Sequence, residues 1–185
     1  LMNIVRNIIR KYEISAYNEV TNEGLLRHVI GRIGFATHKI LLGLVVNGKD
    51  LPPAGRIIKE ITEEMKNLGP SRVTGILKNI NQKQTNVILG DRTEILFGDD
   101  QLIEQLGELR FKIALESFFQ INPSQTVKLL NIVVELAELS GKEIVVDAYA
   151  GVGPIALWVA PYARGVIGIE ENPGAVKNAD SNARL

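Results

Sequence analysis

The residues best suited to chemistry in this chain of 185 residues are Asp147-Ala148-Tyr149-Ala150-Gly151-Val152-Gly153-Pro154. Val145 and Val146 precede them and read as the end of a buried strand. A carboxylate, Asp147, closes that strand, and a Gly-x-Gly loop then enters a helix opened by Pro154. Glycines at 151 and 153 let the backbone turn tightly and approach a ligand closely. A second apolar run, residues 165–169, ends in Glu170, where a carboxylate can accept hydrogen bonds from both hydroxyls of a ribose. The pattern describes an adenosine-type site at the carboxyl ends of parallel strands.

Two ligands compete for it. Gly151-x-Gly153-x-x-Ala156 also satisfies the dinucleotide pattern, with Glu170 near the expected spacing. A nicotinamide dinucleotide would lay its pyrophosphate on the helix N-terminus. Asp147 beside the loop suits the cationic methionine end of S-adenosylmethionine better, and Pro154 removes one amide that a phosphate could use. A glycine-rich turn without a ligand stays open, and Asp147 could equally hold the loop by accepting backbone amides.

The elements around this loop follow from periodicity. Residues 1–12 place Leu1, Val5, Ile8, Ile9 and Tyr12 at helical spacing. Residues 25–35 and 39–46 read as a hairpin around Ala36-Thr37-His38, and Pro53 opens a helix that ends at Leu68 before Gly69-Pro70. Strands are expected over 72–81, 85–89, 93–97 and 109–115, giving a small α+β domain with a mostly antiparallel sheet. The character changes near Glu116. Asn122 caps a helix with Pro123 at its first position, running to Leu139. Strand 143–147, helix 154–162, strand 165–169 and a helix from Pro173 onward then alternate, so their sheet should be parallel and buried on both faces. The division expected is residues 1–115 and 116–185, the second an incomplete parallel sheet.

Composition sets the limits. Hydrophobic residues make up 45% of the chain, enough for a core, and no apolar run is long enough to span a bilayer. A cytoplasmic protein, without a membrane partner, is expected. There is no cysteine, hence no thiol nucleophile or thiolate metal site. His28 and His38 have no partnering ligand in the sequence, so no metal site is expected. Net charge is zero, yet residues 25–83 hold ten Lys/Arg against four Asp/Glu, and residues from 116 on hold five against eight. The basic excess fits a phosphate-binding face and an ordinary solvated surface equally well.

Ser117-Phe118-Phe119-Gln120-Ile121-Asn122-Pro123, followed by Asp147-Ala148-Tyr149-Ala150-Gly151-Val152-Gly153, resembles the RNA uracil-5-methyltransferase family, its ribosomal RNA branch in particular. Leu25-Leu26-Arg27-His28-Val29, Lys78-Asn79-Ile80-Asn81 and Thr85-Asn86-Val87-Ile88-Leu89-Gly90 are similar to segments of that family's central domain. The resemblance implies a central α+β RNA-binding domain followed by the first part of a class I methyltransferase α/β fold, with S-adenosyl-L-methionine as cofactor. It implies cofactor contacts at Gln120, Tyr149 and Glu170, beside Asp147, Gly151 and Gly153 of the loop. It also makes Arg27, His28, Arg32 and Lys39 candidates for RNA contact. Read from the residues alone, Gln120 would be a helix-entry side chain and Tyr149 a core aromatic.

The family activates carbon 5 of uracil by adding a cysteine thiolate to carbon 6, and a carboxylate helps remove the carbon 5 proton. Neither that Cys nor the family's Ser-Cys-Asn and Asp-Pro-Pro segments occur here. The catalytic residues are therefore expected outside this chain, which reads as an inactive middle fragment of an enzyme making 5-methyluridine in RNA, with 23S ribosomal RNA the expected substrate. Self-association through the unfinished sheet is a further expectation. The rivals are a non-catalytic RNA-binding module and a fragment of a nicotinamide-dinucleotide enzyme.

Overall fold

Two amphipathic helices cover one face of the first sheet. In the computed structural model, which describes residues 1–67 and 69–185, α1 (Met2–Lys11) buries Val5, Ile8 and Ile9. Helix α2 (Ala54–Lys66) buries Ile57, Ile61 and Met65 one turn apart. The expected helix end at Leu68 lies outside the described residues. Strands β1 (Leu26–Ile33), β2 (Lys39–Val46), β3 (Arg72–Ile80) and β4 (Arg92–Gly98) pair in that order. Ile40, Leu42, Leu44 and Val46 alternate along β2 toward the helices and form the core with them. Each such side chain contributes roughly 1.5–3 kcal/mol by leaving water.

The outer pairs of this sheet are antiparallel, as expected, but β2 and β3 run parallel. Helix α2 lies between them in sequence, and a parallel pair needs a crossover of this length. Residues 85–89 do not form the expected strand. Their segment is irregular because the buried Asn81 side chain donates to the Val87 carbonyl at 2.7 Å and the Ile88 carbonyl at 3.1 Å, using the acceptors a ladder would need.

The chain divides into two compact units, one of residues 1–34 and 38–102, the other of 35–37 and 103–185. The boundary thus falls before the 115/116 division expected from sequence. Strands β5 (Gln101–Leu106) and β6 (Leu109–Ala114) pair with each other, and their hairpin supplies Leu106, Phe111 and Ile113 to the core of the second unit. Strand β5 was not anticipated. Buried Glu104 occupies its inner face between Leu102 and Leu106, accepting hydrogen bonds from the Phe35, Ala36 and Gln105 amides.

In that unit α3 (Pro123–Ala137) begins at Asn122, whose side chain accepts from the Gln125 amide, with Pro123 in the first turn. Strand β7 (Ile144–Asp147), α4 (Pro154–Val159), a 3-10 turn (Ala160–Tyr162), β8 (Gly165–Gly168) and α5 (Pro173–Asn182) complete it. Strands β7 and β8 are parallel and paired residue for residue from Ile144–Gly165 to Asp147–Gly168. Burial on both faces does not hold: Ile144, Val146, Ile167 and Ile169 are all more than half exposed. Trp158 of α4 packs on the core formed by Phe111, Phe119, Leu130 and Val152.

Candidate cofactor site

The parallel pair delivers two carboxylates to one end. Past the last ladder residue the chains stay bonded, Ile169 N–H donating to the Asp147 carbonyl at 2.8 Å and Ala150 N–H to the Ile169 carbonyl at 2.9 Å. The loop then needs backbone conformations that only glycine adopts freely: Gly151 has φ of 55° and Gly153 has φ of 91°. Gly153 N–H closes the turn on the Ala150 carbonyl at 2.8 Å, and the Leu157 amide of α4 returns to the Gly153 carbonyl at 2.9 Å.

Glu170 is held by this loop. One carboxylate oxygen accepts the Asn172 amide at 2.8 Å and the other accepts the Gly151 amide at 2.9 Å. These two backbone donors, Asn172 the stronger, hold its carboxyl below the usual carboxylate range. The ionised carboxylate keeps a lone pair on each oxygen, so Glu170 retains capacity for further hydrogen-bond donors. Asp147 is committed differently: its Oδ2 accepts the Ala156 amide of the first turn of α4 at 3.2 Å. Of the two roles open to Asp147, the geometry provides the one that braces the loop.

Glu170, Ala150 and Gly153 line a cavity of about 460 Å³ whose wall continues along Ala156, Val176 and Ala179. Gln120 does not line it. It borders a separate shallow hollow with Asn122, Gln125 and Lys128 beside α3. Tyr149 is 93% exposed, so it is no core aromatic, and it too is absent from the cavity wall. Of the six expected cofactor residues only Gly153 and Glu170 line this cavity; Gly151 joins it through its amide bond to Glu170 and Asp147 through the Ala156 amide, while Gln120 and Tyr149 have no such link.

Two asparagines that the sequence reading passed over fix this end of the sheet. Asn182 of α5 is buried; it accepts the Lys112 amide at 2.7 Å and donates to the Val152 carbonyl at 3.0 Å, tying the loop to β6. Asn178, one turn earlier and also buried, donates to Ser117 Oγ at 2.9 Å, at the head of the segment that leads to Gln120. Their spacing of four on a helix opened by Pro173 was the available signal, since it places both amides on one face.

In the first unit one of the expected RNA contacts requires correction. Arg27 is not a free cation: its side chain is 1% exposed and its guanidinium lies 4.4 Å from the Tyr17 ring centroid. It donates to the Asn81, Lys83 and Thr85 carbonyls and to Glu19. Those donors are spent on the chain itself, so Arg27 clamps a loop and has little left for phosphate. His28 and Arg32 are placed opposite Val45 and Leu41 of β2, with Lys39 two residues before Leu41, on the sheet face turned away from Ile40 and Leu42.

The family model described as the TRM5/TYW2 methyltransferase domain matches residues 119–185. Uncharacterized RNA methyltransferases of Staphylococcus aureus and Bacillus cereus are 40% and 41% identical over all 185 residues. The chain spans about 40% of the length of these curated relatives. Among solved structures, a Pyrococcus abyssi tRNA (uracil-54, C5)-methyltransferase in complex with S-adenosyl-L-homocysteine is 27% identical with a TM-score of 0.77, covering 98% of this chain and 42% of that one. The M. jannaschii tRNA m1G37 methyltransferase shares the fold, at 21% identity and a TM-score of 0.51, covering 98% of this chain and 48% of its own. Over nearly its whole length the chain therefore has the fold of the corresponding part of these two methyltransferases.

Proposed function

We propose that this chain is part of an S-adenosyl-L-methionine-dependent RNA methyltransferase that acts on carbon 5 of a uridine, with 23S ribosomal RNA as its substrate. The observation that carries the reading is Glu170, ionised and fixed by the Gly151 and Asn172 amides at the end of a parallel strand. Its free lone pairs suit the two hydroxyls of a ribose at the carboxyl ends of the parallel strands. The similarity over 98% of the chain to an enzyme named for uracil carbon 5 supports the choice of target atom.

The residues fit S-adenosylmethionine better than a nicotinamide dinucleotide. A pyrophosphate would need the free amides of the first turn of α4. Pro154 has none, and the Ala156 amide is taken by Asp147. Bound there, the cofactor supplies an electrophilic methyl group. Residues of this chain hold its ribose (Glu170), keep the loop against it (Asp147, Asn182) and carry no thiol, so the nucleophile that adds to carbon 6 belongs to the part of the protein that this chain does not span. RNA contact in this reading falls to His28, Arg32 and Lys39.

The target atom is tested by giving the full-length protein RNA tritiated at uracil carbon 5. Methyl transfer to that carbon must expel its hydrogen, so tritium should appear in water in step with methyl incorporation. Methylation with full retention of tritium would refute the carbon 5 assignment.

A further inference from the structure

The segment 81–91 has no regular structure, yet it is held by buried donors from two directions. Asn81 binds the Val87 and Ile88 carbonyls, and the clamped guanidinium of Arg27 binds those of Lys83 and Thr85. A long irregular loop fixed this thoroughly presents its side chains in a defined arrangement. The facing segment is also fixed: Tyr17 Oη donates to Asn22 Oδ1 at 2.9 Å, and Asn18 Oδ1 accepts the Val20 and Thr21 amides.

Between the two lies an open hollow of about 620 Å³, lined by Glu19, Asn22, His28, Gln84, Thr85 and Asn86. Its chemistry is neither that of a core nor that of a phosphate site. The side-chain amides of Gln84 and Asn86 have no hydrogen-bond partner among the described residues, and the His28 ring is a third of the way exposed, with Glu19 4.0 Å from its Nε2. The cations nearby are already paired, Arg27 with Glu19 and Lys83 with Asp91. Free carboxamides, an imidazole face and a carboxylate around one hollow are the groups that hydrogen-bond and stack an unpaired nucleobase.

We propose that this hollow binds one unpaired base of the RNA, reading its edge with Gln84, Asn86 and Glu19 and stacking it on His28. The proposal rests on the RNA-modifying reading above and assigns to the first unit a specificity site separate from the cofactor site. Recognition here is through the base, so its strength should depend on base identity far more than on salt.

The test uses this chain and fluorescently labelled single-stranded RNA heptamers that differ only at the central position: each of the four bases or an abasic sugar. Anisotropy should show one base bound about tenfold more tightly than the abasic oligomer. Asn86→Ala and Gln84→Ala should each remove most of that difference, and His28→Ala should weaken all four bases. Residues 84 and 86 are exposed, so these variants should keep the wild-type melting profile. Equal affinity for abasic and base-bearing oligomers, or variants that leave the preference intact, would overturn the proposal. A parallel titration with S-adenosyl-L-homocysteine separates the two readings: cofactor binding without base preference defeats the hollow alone, and loss of both defeats the methyltransferase reading as well.

Discussion

Asn182→Ala should unfold the second unit far more easily than its small size change implies. The side chain is 5% exposed and serves both ends of its amide: Oδ1 takes the Lys112 amide, and Nδ2 serves the Val152 carbonyl at 3.0 Å and the Lys112 carbonyl at 3.3 Å. Truncation leaves at least one donor and one acceptor unpartnered where water has poor access. Each such group costs about 1–3 kcal/mol, so a loss of about 2–4 kcal/mol is expected. The single tryptophan, Trp158, packs in this unit's core, so its fluorescence reports on this unit. With a urea slope of about 1–2 kcal/mol/M for a unit of this size, the midpoint should fall by roughly 2 M. Because Val152 belongs to the glycine loop, affinity for S-adenosyl-L-homocysteine should fall under conditions where the variant is still folded. A midpoint within about 0.3 M of wild type would refute the claim that this asparagine braces the loop.

Other outcomes follow from the same geometry. Arg27→Ala should destabilise the first unit by about 1–3 kcal/mol, measured by urea unfolding followed by circular dichroism, because the part-buried Asn81 carbonyl loses its donor, whereas the exposed Lys83 and Thr85 carbonyls can turn to water. It should leave the salt dependence of RNA binding unchanged, since the guanidinium is already used within the chain. Glu143 has its carboxyl pulled down to about 2, chiefly by the Ser140 hydroxyl at 2.5 Å and also by backbone amides. A folded value below the unfolded one gives stability that is present above about 4.5 and lost as pH falls toward 2; Glu143→Gln should flatten acid unfolding in that window. The exposed face of Ile144, Val146 and Ile167 should make the chain self-associate, and sedimentation velocity of Val146→Lys should show more monomer than wild type.

Much of the second unit was legible because its signals are local. Asn122-Pro123 and Asn172-Pro173 start helices by satisfying their own first-turn amides, and the Gly151 and Gly153 conformations are ones other residues resist. What stayed hidden depends on partners distant in sequence. Glu104 reads as a surface residue until amides 35 and 36 are brought to it, which is why β5 was missed. Val87-Ile88-Leu89 reads as a strand until Asn81 takes its carbonyls. Arg27 reads as an RNA contact until Tyr17 and three carbonyls enclose it. The parallel pairing of β2 with β3 was available in principle, since a helix separates the two strands in sequence.

The central claim is that the loop from Asp147 to Gly153 and Glu170 form an S-adenosyl site. It is tested most directly by titrating this chain with S-adenosyl-L-homocysteine and following the backbone amides of Gly151 and Asn172 by NMR, since both donate to the carboxylate that would receive the ribose. The account predicts saturable shifts at these two amides, no such shifts with a nicotinamide dinucleotide, and their loss in Glu170→Ala. Unmoved amides with the homocysteine compound, or saturable shifts with the dinucleotide instead, would contradict it.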